Sequence, residues 1–366
     1  MTDRTLLILT GLLLAACLCC ACLCAAALGV YLVLAPASTT GPSVQPPQAV
    51  TLPSPTALPP TQTSTQTPAA PSAACTASMQ NVIHAAEGSA YATDPGLSED
   101  SPHPDSVTLV FYPVTGDTLG EPRYRSVKES LQDLQHDAAS QSSAWALFTR
   151  LIPSEQRRMV SGYEVFTDGA GSLLASVQQS YDDPALWSVA VDAADLADRP
   201  SLTFTLVHEF AHLLTLSASQ VPPDIEVYHA PEDRALQADR LHACPTYFPG
   251  EGCSLEGSYI NLFHQRFWTA LDEEWRPIDD LSTGEDIEAY YEALYAFYEA
   301  HQDQFVGDYA ATNPSEDMAE TFSYFIFDTR PDGDTIAEQK VLFFYEYPGL
   351  VQLRGQILQA FCEVPQ

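Results

Sequence analysis

Two histidines four residues apart, with a glutamate directly after the first, make up the segment His208-Glu209-Phe210-Ala211-His212. On a helix, positions i and i+4 lie one above the other, so both imidazoles can offer a nitrogen to one ion. Glu209 is rotated from His208 by about 100° and can reach past that ion to a water held on it. Zinc brings the pKa of such a water towards neutrality, and a neighbouring carboxylate can take its proton as the oxygen attacks a polarised carbonyl. Each residue type has its own task, which makes the spacing informative. The same five letters also occur on helices that bind nothing. Here the flanking residues are bulky and apolar (Leu202, Phe204, Leu206, Phe210, Leu213, Leu214). Two histidines and a glutamate would be costly to bury among them without a partner, and a metal ion is such a partner.

A catalytic zinc takes three protein ligands and keeps one position open. The extended motif with a glycine and a third histidine fails, because Thr215 and Ala218 stand at those places. The best later source is Ser315-Glu316-Asp317-Met318-Ala319-Glu320-Thr321-Phe322. Asn313-Pro314-Ser315 ahead of it is a helix-start signal. On that helix Glu316 and Glu320 share one face. Glu316 would then bind the metal, and Glu320 would accept the remaining ring N–H of a ligating histidine. Asp317 is the ligand if the helix is phased differently, and His229, His242 and His264 are further substitutes. Equally, acids in a first helical turn are favoured by the helix dipole alone.

HEFAH followed by a downstream E-x-x-x-E helix resembles the gluzincin zinc metallopeptidases. The Glu316-Asp317-Met318-Ala319-Glu320 stretch is most similar to the anthrax lethal factor-like branch, whose ligand helix reads E-x-x-A-E. The resemblance implies a zincin-like fold, peptide-bond hydrolysis, His208, His212 and Glu316 as zinc ligands, and Glu209 as general base. It also implies an outer role for Glu320 and an oxyanion-stabilising role for Tyr309, seven residues before Glu316. Tyr309 lies in a tract rich in aromatics, where core packing is an alternative role. The resemblance covers only these two segments, and the 104 positions between His212 and Glu316 include an insertion at about Val221 to Gly257.

The elements that must position these residues read as α+β. Helices are expected over Met79–Ala92, Arg125–Ala139, Ser142–Ile152, Ser201–Leu216, Tyr259–Trp275, Gly284–Gln304, Ser315–Phe327 and Val351–Phe361. Strands are expected over Ser106–Val114, Tyr163–Phe166, Leu173–Gln178 and Trp187–Val191. Ser201, beside Pro200, is a candidate cap for the motif helix. Trp187–Val191 is a candidate edge strand to which an extended peptide could add. Strands before the motif helix and helices after it suggest two lobes with a cleft between them.

Ahead of the domain, Leu6 to Leu34 carries no charge. Its twenty-nine residues would span roughly 43 Å as a helix at about 1.5 Å each, enough for one membrane anchor. Leu14-Ala15-Ala16-Cys17 leaves a lipoprotein signal as the rival. Pro36 to Ala74 is rich in Pro, Thr, Ser and Gln and reads as an extended disordered linker. The expected division is therefore 1-35 anchor or signal segment, 36-74 linker and 75-366 catalytic domain. Outside the apolar run stand four cysteines, Cys75, Cys244, Cys253 and Cys362. An even count suggests disulfides; Cys244–Cys253 would close a short loop and Cys75–Cys362 would tie the domain's ends together.

The formal net charge is −33, and lysine occurs only at Lys128 and Lys340. Such a chain repels nucleic acid and anionic lipid; the charge either serves solubility as a solvated acidic surface or suits cationic partners. No G-x-S-x-G elbow or phosphate-binding loop competes with HEFAH. The expectation is a membrane-anchored, extracellular zinc metallopeptidase acting on peptide or protein substrates. A zinc hydrolase of a non-peptide amide or ester, and a non-catalytic adhesion or scaffold module with the same fold, are the other readings left open.

Overall fold

A computed structural model describes residues 72–88, 106–169, 171, 173–283 and 286–363. The anchor and nearly all of the linker expected from the sequence lie outside these residues. Among the described residues no helix is long and apolar enough to cross a membrane.

The chain is a mixed α+β structure. Helix α1 (Ala73–Gly88) precedes strands β1 (Val107–Thr115), β2 (Thr118–Leu119) and β3 (Arg123–Tyr124). A short helix α2 (Gln132–Gln135) and α3 (Ala138–Leu151) lead to β4 (Val160–Thr167), β5 (Ala175–Ser180) and β6 (Asp183–Asp192). The motif helix α4 (Arg199–Leu216) follows. The rest is helical: α5 (Ile225–His229), α6 (Arg234–Ala243), α7 (Tyr259–Phe267), α8 (Asp272–Asp279), α9 (Ile287–Ala300), α10 (Pro314–Phe327), α11 (Ile336–Tyr345) and α12 (Pro348–Cys362).

The sheet order is β2-β1-β4-β6-β5, with β3 also on β1. β4 and β6 are parallel and the other pairs antiparallel. β6 therefore lies inside the sheet, which corrects the expected edge at Trp187–Val191. Its last six residues, Trp187 to Asp192, are all buried, as an interior position demands. The edge on this side of the sheet is β5, and β2 stands at the other.

Three further differences have local causes. The helix expected over Arg125–Ala139 reduces to a 3₁₀ turn and α2. The backbone there is still bound to the sheet, since Arg125 N–H donates to Leu109 O at 3.0 Å, and buried Gln135 donates to Leu109 O and Arg125 O at 2.8 Å each. The helix expected over Tyr259–Trp275 breaks into α7 and α8. The break lets two indoles into the core: Trp268 and Trp275 meet edge to face at 5.6 Å, and their N–H groups donate to Asp317 at 2.6 Å and Thr312 O at 2.9 Å. At α4 the capping side chain is Asp198 rather than Ser201. Asp198 accepts from Ser201 N at 3.3 Å and from the Ser201 hydroxyl at 2.8 Å, with Pro200 in the first turn, where its missing N–H costs nothing.

Disulfides join Cys75 to Cys362 and Cys244 to Cys253. The first ties α1 to α12 and so closes the domain; the second pins the end of α6 to the loop before α7.

Candidate metal centre

Helix α4 is buried along nearly its whole length, with Phe210, Ala211 and Leu213 fully inaccessible. It packs against β5, α1 and α10, so an ordinary apolar stripe would not suffice and the polar residues on it must be satisfied internally. His208, Glu209 and His212 are buried, Glu209 completely.

Helix α10 brings Glu316 to the two histidines. Asn313 caps it, accepting from Ser315 N at 2.8 Å and Glu316 N at 3.0 Å, and Pro314 fills its first turn. Glu316 Oε2 lies 3.0 Å from His208 Nε2 and 3.4 Å from His212 Nε2. The two Nε2 atoms are 3.1 Å apart. On the other side of the His208 ring, Nδ1 lies 3.1 Å from Glu320 Oε1. Tyr309 is buried, with its ring centroid 5.8 Å from that of His208. The structure thus brings together His208, His212, Glu316, Glu320 and Tyr309, and Glu209 follows His208 on the same buried turn.

Among the described residues His208, His212 and Glu316 form the one group of three whose ligand atoms lie close enough to share an ion. The donor chemistry fits a cation. In the tautomer protonated at Nδ1, on the Glu320 side, His208 turns a lone pair at Nε2 towards a carboxylate oxygen of Glu316. In that tautomer two acceptors stand 3.0 Å apart in a buried site, and a positive ion beside them would remove the repulsion; in the other tautomer Nε2–H donates to Glu316. Ligands at about 2.0–2.1 Å around a tetrahedral zinc are about 3.3 Å apart, close to the separations found here. This buried His-His-Glu group could therefore hold a metal ion.

No family model matches this chain, and neither a curated protein nor a solved structure does. The reading of the site rests on its own geometry.

The competing ligands are placed elsewhere. Asp317 points from α10 into the core, fully buried, 2.6 Å from Lys340 Nζ and accepting from Trp268 and Thr321. His229 and His242 are exposed. His264 pairs with Asp272 at 3.0 Å and stacks on Tyr247; burial holds its imidazole below the usual value.

Two hollows flank the centre. His212 and Glu316 line a cleft of about 1490 Å³, whose upper wall includes Val177 to Ser180 of edge strand β5. His208, Tyr309 and Glu320 line a second pocket of about 360 Å³, reached by Leu174 just ahead of β5. The ligand triad stands between them.

The buried partner of Lys340 and the helix that carries it were not expected from the sequence. The signal was present: a lone lysine followed by Val341-Leu342-Phe343-Phe344, with few other lysines in the chain, marks a charge that must meet a buried partner.

Proposed function

We propose that this chain is a zinc-dependent metallopeptidase with a two-lobed, zincin-like domain of gluzincin type. The observation that carries the reading is the convergence of His208 and His212 from α4 with Glu316 from α10, beside a fully buried Glu209. Two nitrogens and one carboxylate oxygen suit zinc, and leave a position open for substrate.

When bound, zinc would supply a Lewis acid that polarises the scissile carbonyl and acidifies a water. Glu209 would take a proton at its carboxylate from the attacking water as the C–O bond forms, and return it to the amine nitrogen as the C–N bond breaks. Tyr309, beside His208, donates its hydroxyl to the carbonyl oxygen as negative charge grows there. Glu320, 3.1 Å from His208 Nδ1, would orient the ring and leave Nε2 for the ion. The free edge of β5 borders the cleft and offers backbone groups for an extended substrate to pair with.

The proposed setting is outside a membrane. Two disulfides fit an oxidising compartment, and a net charge of −33 argues against nucleic acid as a partner. Residues 1-35 would anchor the chain and 36-74 would space the domain from the bilayer.

The deciding experiment measures zinc per purified full-length chain and cleavage of a peptide mixture, for the natural protein and Glu209→Gln. One zinc per chain in both, with cleavage only in the natural protein, supports the reading. A folded chain that takes up no zinc, or a Glu209→Gln variant as active as the natural one, ends it.

A further inference from the structure

The pocket behind His208 has a chemistry of its own. Among the described residues its charged lining consists of Glu87 from α1, Asp308 from the turn before Tyr309, and Glu320, with His208 as the one base and no lysine or arginine. His208 already faces Glu320 through Nδ1. Aromatic rings form much of the remaining wall: Phe204, Tyr295, Tyr298 and Tyr324, besides Tyr309.

We propose that this pocket takes the side chain of a lysine or arginine flanking the bond that is cut, so that the enzyme selects basic cleavage sites. The proposal rests on the peptidase reading for its occupant, and on the pocket's own residues for its chemistry.

Three arguments converge. The first is placement. His208 and Glu320 form one wall, so the pocket begins one side chain away from the ligand triad. Leu174 lines it, while Val177 to Ser180 line the main cleft. A chain laid along β5 therefore runs from the cleft towards the Leu174 side of this pocket. Its volume of about 360 Å³ falls in the range of roughly 300–1,000 Å³ usual for ligand sites.

The second is charge. An acidic side chain would meet three carboxylates, of which Glu320 faces His208 and exposed Glu87 faces His84, and an apolar one would add to the desolvation of Asp308 and Glu320. Asp308 already feels this: burial, opposed by backbone N–H donation and reinforced by the charge of Glu320, pushes its carboxyl up to about 6. A cation entering the pocket offsets both costs. The same acids raise the neighbouring Tyr298 and Tyr324 hydroxyls, after burial, which places the tyrosines within their field.

The third is the rings. Tyrosine and phenylalanine faces attract ammonium and guanidinium groups, and a planar guanidinium stacks on them while donating to carboxylates at its edge. The chain's net charge of −33 would also draw basic segments towards it.

The test needs no turnover. The full-length protein is titrated with n-butylguanidinium and with n-butylurea, its neutral isostere, and binding is followed by ligand-detected NMR. The charged probe is expected to bind about tenfold tighter or more. Asp308→Asn, which keeps the cap on Tyr309 N, and Glu87→Gln should each reduce that ratio severalfold. Equal binding of the two probes, or a ratio unchanged in both variants, overturns the proposal even if peptides are cleaved. Failure of the peptidase reading shows separately, as absence of cleavage. Where cleavage occurs, a randomised peptide library should show arginine and lysine enriched at one position beside the cut. An even spread there, or enrichment of apolar residues, would also overturn it.

Discussion

Glu316 Oε2 lies 3.0 Å from His208 Nε2, although 108 residues separate them in the chain. Glu320, one turn further along α10, reaches the opposite nitrogen of the same ring at 3.1 Å. A single imidazole is thus gripped on both sides by one helix face. One carboxylate would share its metal ion, and the other would set its tautomer and orientation.

This grip grades the effect of substitutions on metal affinity. Glu320→Gln should weaken zinc binding by about 10–100-fold, the usual cost of losing a carboxylate that supports a ligating histidine. Glu316→Ala, which removes a donor outright, should cost more. Competition with a chromophoric chelator gives both constants. Equal affinities for the two variants would contradict the assignment of Glu316 as ligand and Glu320 as its support.

Replacing Glu209 by Gln keeps the size and burial of the side chain but removes its ability to accept a proton. Peptide cleavage should fall by about 10²–10⁴-fold, the span typical of general acid–base catalysis, with zinc content unchanged. Initial rates beside elemental analysis of the same preparation check both halves.

The pH dependence of stability should carry a mark from Asp192 at the end of β6. Its carboxyl is fully buried, and burial first, then the neighbouring Asp168, pushes it up to about 7 from 3.8. A carboxyl whose folded value is raised holds its proton more tightly when folded. Its contribution is complete below about pH 4, and is lost as pH rises through about 7. Asp192→Asn should flatten this part of the melting temperature curve between pH 4 and 8. Thermal unfolding at fixed ionic strength would show a slope unchanged from the natural protein if Asp192 is not responsible.

The Lys340–Asp317 pair is the other buried ionic feature, with neither side chain exposed and 2.6 Å between them. Lys340 also lies over the Phe305 ring, 4.0 Å from its centroid. Removing one partner should cost about 3–5 kcal/mol, because it strands the other charge in the core. Lys340→Met alone should therefore destabilise more than Lys340→Met combined with Asp317→Leu. Urea unfolding of the two variants decides the order.

Reducing the Cys75–Cys362 disulfide should destabilise the domain by about 2–5 kcal/mol, since it links α1 to α12 across almost the whole folded chain. Cys75→Ser with Cys362→Ser, compared with the natural protein by calorimetry, measures it.

Much of the site could be read from the chain alone, and for a definite reason. The helical repeat is a local rule, so the i, i+4 spacing of His208 and His212, and of Glu316 and Glu320, fixes which side chains share a face wherever the helices end up. Turn and cap residues likewise marked where α4 and α10 begin to within about two residues. The mixture of helix and strand, and the strand positions before α4, followed from periodicity of the same local kind.

Other features were decided only when distant segments met. Glu316 and Asp317 are adjacent and both acidic, and nothing local tells which of them faces the histidines. The choice is made by Lys340 and Trp268, which take Asp317 into the core and so turn Glu316 towards the histidines. Whether β5 or β6 forms the sheet edge depends on β6 pairing in parallel with β4, a contact that no period in the sequence encodes. The break between α7 and α8 answers the demand of two indoles for buried partners on other elements. Local spacing sets the face a residue lies on, because backbone geometry repeats every few residues. What that face meets is set by packing and charge pairing between segments a hundred residues apart, and there the tertiary structure alone decides.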